Sequence, residues 1–205
     1  MTEVSNVYNQ IAQDFSRTRS SVWNGCRIFL DSLPSQSTMA DIGCGNGKNM
    51  LYRNDISCTG VDLCENFIKI CKERKLNVIY GSICQIPLNS NAFNNTISIA
   101  VIHHLEKQED RIKAISELLR ITQPGGRVMM SVWAFEQDST SKRKFATQDE
   151  MVPFKKLNGE VYYRYYHLYK KGELEDEVNQ VKDYKFIIDE AYEEKNNYIV
   201  ILKKI

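Results

Sequence analysis

A chain of 205 residues, 42% hydrophobic and 26% charged, is long enough to bury one sizeable core. Its net charge of +1 argues neither for nor against nucleic acid, and no apolar run reaches membrane length. Six cysteines without a C-x-x-C pair exclude a disulfide scaffold and point to a reducing, cytoplasmic (or nuclear) setting with no signal peptide and no intrinsic metal site.

Val4, Val7, Tyr8, Ile11 and Phe15 recur at helical spacing, which predicts a short amphipathic helix. A second helix carries Val22, Cys26, Phe29, Leu30 and Leu33 on one face and ends before Pro34. The linker between them holds Arg17, Arg19 and Trp23, either a plain connector or two cations able to hold an anion beside an aromatic ring. Met39–Lys48, MADIGCGNGK, then reads as a short buried strand running into Gly43, Gly45 and Gly47. Such a turn lets a nucleotide-like ligand lie against the backbone, since no Cβ blocks its approach. The dinucleotide fingerprint would place its third glycine at Lys48; here it comes one residue early, with Asp41 at the strand end. Asp62 closes a second strand, Cys58–Asp62, about twenty residues past the loop. It is placed to accept both hydroxyls of a ribose, or to be a surface aspartate.

Alternation of the α/β kind follows: helix Glu65–Arg74, strand Asn77–Gly81, strand Thr96–Val101, helix Glu109–Ile121 and strand Arg127–Trp133 after Pro124-Gly125-Gly126. Basic residues dominate Lys142–Lys171, including Lys142, Lys144 and Arg164, and acidic ones dominate Glu173–Glu194. The sign change marks a basic face or ordinary solvated surface. Two last strands, Tyr184–Ala191 and Asn197–Lys203, lie so close that only an antiparallel hairpin can join them. The expected architecture is a mostly parallel seven-stranded Rossmann-like sheet closed by that pair. It is one domain, with N-terminal helices (1–36), a cofactor-binding core (37–135) and a substrate-side insertion plus final strands (136–205).

The D-x-G-x-G-x-G loop resembles that of class I S-adenosylmethionine-dependent methyltransferases. More discriminating blocks are Ile99-Ala100-Val101-Ile102-His103-His104, Val132-Trp133-Ala134-Phe135-Glu136-Gln137 and Tyr162-Tyr163-Arg164-Tyr165-Tyr166-His167. With Tyr8-Asn9-Gln10-Ile11-Ala12 and Phe15-Ser16-Arg17-Thr18-Arg19 they resemble the eukaryotic tRNA wobble-uridine carboxymethyl O-methyltransferases, related to the methyltransferase part of AlkB-like two-domain enzymes. The resemblance implies S-adenosylmethionine held by Tyr8, Asp41, Gly43, Cys44, Gly45, Asn46, Gly47, Asp62, Leu63, Ser82, Ile83 and Ala100. Relatives carry an aspartate where this chain has Ser82, whose hydroxyl also accepts a hydrogen bond but without charge. It further implies a catalytic set of His103, His104, Arg19 and Arg164, and substrate contacts from Arg17, Trp23, Trp133, Glu136, Gln137, Tyr165, His167, Lys142 and Lys144. The partners implied are a tRNA anticodon stem-loop and a small zinc-binding activator subunit that pairs along the third strand as a heterodimer.

A carboxylate nucleophile is ionised at neutral pH and needs no general base, which suits a sequence without a compelling one. The histidine pair reads equally as a polar loop, and the tyrosine block as a half-buried strand. Two other functions fit the same residues: a methyltransferase for small carboxylic acids, and a partner-dependent RNA-binding protein with a degenerate cofactor site.

Overall fold

The computed structural model describes residues 3–139 and 141–205. Helix α1 (Glu3–Thr18) buries Ile11 and Ala12 and lays Tyr8 and Phe15 against Phe67 of α3 (Glu65–Glu73). Asn9 fixes that crossing, because its Oδ1 accepts the Asn66 backbone N–H (3.0 Å) and its carbonyl accepts the Asn66 side-chain amide (2.7 Å). Helix α2 (Asn24–Asp31) turns Cys26, Phe29 and Leu30 onto the sheet.

That sheet contains β1 (Thr38–Ile42), β2 (Ser57–Asp62), β3 (Val78–Tyr80), β4 (Phe93–Ile99), β5 (Thr122–Trp133), β8 (Phe186–Glu194) and β9 (Asn197–Lys204). Its order is β3-β2-β1-β4-β5-β9-β8, parallel from β3 to β5, with β9 antiparallel to β5 and β8 antiparallel to β9. The order reverses between β1 and β4, so a crevice opens at their C-terminal ends, where open α/β sheets bind ligands. On one side of the sheet α4 (Gln108–Ile121) and α5 (Glu173–Gln180) close a core of Ile115, Leu118, Val128, Leu174 and Leu202; α2 closes the other. Among the described residues no helix is long and apolar enough to cross a membrane.

The strand expected at Thr96–Val101 is shifted to Phe93–Ile99, and three further departures change the connections. Strand β5 starts at Thr122, directly on the end of α4, and not at Arg127. Thr122 pairs with Phe93, its hydroxyl bonds Leu118 O and Thr96 Oγ1, and Pro124-Gly125-Gly126 rides inside the strand where the register shifts. The final turn is two residues, not five, since β8 runs on to Glu194. Lys195 and Asn196 both adopt positive φ, the type I′ geometry that matches strand twist. The tyrosine-rich block is β7 (Val161–His167), paired with β6 (Asp149–Lys155) in a separate two-stranded sheet. The half-buried strand read from the tyrosine block is β7, whereas β6 and α5 had no expected counterpart, and the hairpin supplies one wall of the crevice.

Candidate active site

A cavity of about 440 Å³ opens at the ends of β1, β2 and β4, within the range of small-molecule cofactor sites. Gly45 lies on it at φ +53°, and a Cβ added there would meet nothing within 4 Å. The space a side chain would occupy is left to a ligand resting on the backbone. Gly43 serves a different end, because a Cβ there would run into the Val101 side chain. Gly47 packs on Leu76 and Cys71, away from the cavity.

Asp62 is held before any ligand arrives. Its Oδ2 accepts the Gly45 N–H and its Oδ1 the Cys64 N–H, both at 2.8 Å, so each oxygen keeps a free lone pair for a hydroxyl. Burial pushes the carboxyl up to about 6 against those backbone donors. Asp41 differs from expectation: it is fully buried beneath the loop and does not line the cavity. Asn49 Nδ2 reaches one oxygen at 3.4 Å and the other has no partner, and burial raises its carboxyl to about 7. Asp41 supports the loop from behind. Cys44, Asn46, Leu63, Ser82, Ile83, Ala100 and Tyr8 all line the cavity. Ser82 Oγ accepts the Cys84 N–H at 3.2 Å, which orients the hydroxyl. Ala100 sits at φ +60°, uncommon for a side-chain-bearing residue, held by its N–H on Ser131 O and Oγ.

Arg164, His104, Tyr8, Tyr166 and Trp133 form the wall opposite the glycine loop. Arg164 is 3% exposed; its Nη1 donates to Tyr166 Oη (2.9 Å) and Tyr8 Oη (3.3 Å), and its Nε has no partner. Among the described residues it makes no ion pair. A buried cation without a counter-charge is costly, and this one lies on the cavity wall, where an anion could reach it. His104 places Nδ1 2.8 Å from the Tyr165 carbonyl, which fixes the proton there, so Nε2 accepts from Tyr8 Oη at 3.0 Å. Burial drives its basicity down to about 3, so the ring stays neutral.

Several residues expected at the site lie off it. His103 is fully buried and lines no cavity: its Nδ1 accepts the Trp133 N–H (3.1 Å), its ring stacks on Tyr166, and its Nε2 has no partner. Substrate contact by His103 is therefore corrected to support of Trp133. Arg17 points outward from the last turn of α1, and Lys144 is exposed away from both cavities. Glu136 accepts the Tyr198 hydroxyl (2.8 Å). Tyr165 bonds Asp149, and His167 bridges Asp149 (3.0 Å) and Glu173 (2.8 Å), tying the hairpin to α5. These are structural ties outside the site. Gln137 and Lys142 line a second, larger groove of about 730 Å³ that shares Arg19, Trp23 and Trp133 with the cavity.

Sequence reasoning missed three contributors. Lys48 donates to Ser21 O (2.9 Å) and lies 5.3 Å from the Trp23 ring centroid. Arg74 donates to Asn46 O (2.7 Å), bracing the glycine loop from α3, and Arg143 lies 4.7 Å from the Trp133 centroid. Only Arg143 carried a signal, as part of the basic run.

Residues 40–130 match a family described as a methyltransferase domain. A relative from Schizosaccharomyces pombe, named tRNA (carboxymethyluridine(34)-5-O)-methyltransferase, is 36% identical over 98% of this chain and 96% of its own length. The chain belongs to that family. A relative of the same name from Xenopus tropicalis is 32% identical over 98% of this chain, of which the chain spans 41%. A mouse relative is 42% identical over 68% of the chain and 21% of its own length, so the chain corresponds to less than half of either. A Methanosarcina mazei structure described as an S-adenosylmethionine-dependent methyltransferase superposes with TM-score 0.71 at 16% identity, covering 90% of this chain and 99% of that one. A methyltransferase solved with the Haloferax volcanii Trm112 activator gives 0.55 at 17% identity over 66% and 63%. Both likenesses place the fold in the class I methyltransferase group.

Proposed function

We propose that the chain transfers a methyl group from S-adenosylmethionine to the carboxylate of 5-carboxymethyluridine at the wobble position of tRNA, giving the methyl ester. The observation that carries this reading is Arg164, a buried guanidinium on the cavity wall without a carboxylate partner. The cavity fits the cofactor through the open space over Gly45 and the preset oxygens of Asp62. Bound there, S-adenosylmethionine supplies an electrophilic methyl carbon. The chain's own residues then hold a carboxylate in line with that carbon, since displacement at carbon depends on alignment. Arg164 would orient the ionised carboxylate toward that carbon, and because the oxygen arrives without a proton no general base would be needed. A site with a cation and with its cavity-facing histidine held neutral suits a nucleophile that arrives ionised. Tyr8 and Tyr166 fix the guanidinium from below, leaving it free to orient the anion and not to enclose it.

The activator subunit belongs to the same proposal. β3 is a sheet edge of three residues whose Tyr80 is 47% exposed, and it bears no charged side chain. The opposite edge, β8, carries Asp189, Glu190, Glu193 and Glu194, which discourage strand pairing. A small zinc-binding activator would extend the sheet at β3, in the cytoplasm or nucleus where tRNA is matured. The test is nucleoside mass spectrometry of tRNA bearing 5-carboxymethyluridine, incubated with the protein and cofactor, with and without the activator. The methyl ester is expected. Esterification of free small acids with modified tRNA left untouched would overturn the reading.

A further inference from the structure

The groove beside the cofactor cavity has no part in the chemistry above, yet it is built for a ligand. Arg19, Arg27, Lys142 and Arg143 line it, and among the described residues none of the four makes an ion pair. The carboxylate of Glu194, which also lies there, is turned onto the start of α2, accepting from the Asn24 side chain (3.1 Å) and the Gly25 N–H (2.9 Å). The groove is thus electropositive with its one acid already engaged. Two large aromatic rings, Trp23 and Trp133, stand in its walls, each with a cation over one face: Lys48 at 5.3 Å and Arg143 at 4.7 Å. Flat π-faces beside unpaired cations suit a base and its phosphate, in the manner of single-stranded nucleic-acid sites. Both tryptophans and Arg19 also border the cofactor cavity, so the two spaces meet along that seam.

We propose that this groove binds the nucleotide adjoining the methylated nucleoside in a single-stranded RNA loop, its base stacked on Trp133 or Trp23 and its phosphate between Arg27 and Lys142. This inference rests on the tRNA reading for its ligand class. It adds a second recognition subsite, which would let the enzyme distinguish a nucleoside within a loop from the same carboxylate on a free molecule. Stacking on Trp133 requires the base to join or displace the Arg143 guanidinium, whereas Trp23 stays capped by a lysine that is itself anchored to Ser21 O.

The chain has two tryptophans, and both line the groove, so their emission reports on it directly. The protein is first saturated with S-adenosylhomocysteine, which removes the cofactor's own effect on the shared rings. It is then titrated with the unmodified trinucleotide UpUpU, with the same trinucleotide carrying one abasic end, and with inorganic phosphate. Saturable quenching by UpUpU is expected in the wild type and in at least one of Trp23→Phe and Trp133→Phe, with the abasic trinucleotide at least tenfold weaker. Arg27→Glu with Lys142→Glu should weaken UpUpU at least tenfold, while calorimetry with S-adenosylhomocysteine reports that the cofactor site is still folded. Equal response to phosphate and UpUpU, or no response in either single-tryptophan variant, overturns the inference. Quenching that persists in a protein unable to esterify modified tRNA would sink the proposed reaction and leave the groove as an RNA site. Full activity on tRNA in the Arg27→Glu/Lys142→Glu variant would do the reverse.

Discussion

Walls of the cofactor cavity come from the ends of adjacent strands, and its polar groups are largely backbone or backbone-held: the Gly45 amide, the Asp62 oxygens, the Ser82 hydroxyl. Walls of the neighbouring groove come from connections far apart in the chain, the α1–α2 linker, Gln137 with residues 141–143 and the β8–β9 turn, and its polar groups are long cationic side chains. The first space is rigid because the sheet dictates it, and its geometry suits one small ligand. The second is adaptable, since cations on flexible stems follow a phosphate chain without fixing its sequence. Catalysis of this kind divides accordingly, with precise placement of the methyl carbon on one side and tolerant grip on a large partner on the other.

The largest effect should come from the buried cation in the wall of the first space, Arg164. Arg164→Met keeps much of the bulk and removes the charge. It should lower turnover on modified tRNA by about a hundredfold, the scale at which lost alignment of a reacting group is felt. S-adenosylmethionine affinity measured by calorimetry should stay within a few-fold. If affinity for the cofactor falls as steeply as turnover, the guanidinium answers the cofactor's own carboxylate and not the substrate's.

Next in size is Asp62→Ala. The Gly45 and Cys64 amides and the ribose hydroxyls would lose their acceptor together, a cost of about 1–3 kcal/mol. That corresponds to a roughly tenfold to hundredfold loss of S-adenosylmethionine affinity, with RNA binding in the groove unchanged. A pH signature accompanies it. The carboxyl sits at about 6 without ligand, and hydroxyl donors favour its ionised form, so affinity should be flat above pH 7 and fall as pH drops through 6. Calorimetry across pH 5–8 should find binding about tenfold weaker at pH 5 in the wild type, and flat in Asp62→Ala. A wild-type profile without that inflection would detach Asp62 from the ribose.

The same division governs what the sequence reveals. The glycine loop, Asp62 and the parallel alternation were legible because they lie within local runs whose spacing carries the geometry. Even there, Asp41 was misplaced, since spacing puts it at a strand end but cannot tell the open side of a loop from its underside. His103 and His104 are adjacent in sequence on a 3-10 turn, Ile102–His104, with their rings 4.5 Å apart and both against Tyr166, yet only His104 reaches the cavity. Arg164 was legible through its block of tyrosines. Its isolation from every described carboxylate was not, because that is a property of four elements packed together. The groove was the least legible region: basic residues between 142 and 171 suggested a face, but Lys142 joins it and Lys144 does not.

That last distinction yields the smallest and most discriminating effect. Both lysines are exposed, two residues apart in a segment without regular structure, and composition treats them alike. Lys142 lines the groove beside Arg143 and Gln137, whose side chain is fixed between the Ala134 carbonyl and the Ser141 hydroxyl. A phosphate entering the groove would therefore meet Lys142 and pass Lys144 by. Lys142→Ala should weaken binding of an anticodon stem-loop a few-fold and reduce the slope of log affinity against log salt by about 0.7, the contribution of one phosphate contact in a single strand. Lys144→Ala should leave both quantities where they are. Fluorescence anisotropy at four or five salt concentrations resolves a slope change of that size. Equal changes for the two lysines would mean that the RNA reads the basic face as a diffuse field and not the groove, and the contrast between a rigid cavity and a shaped neighbour would no longer hold.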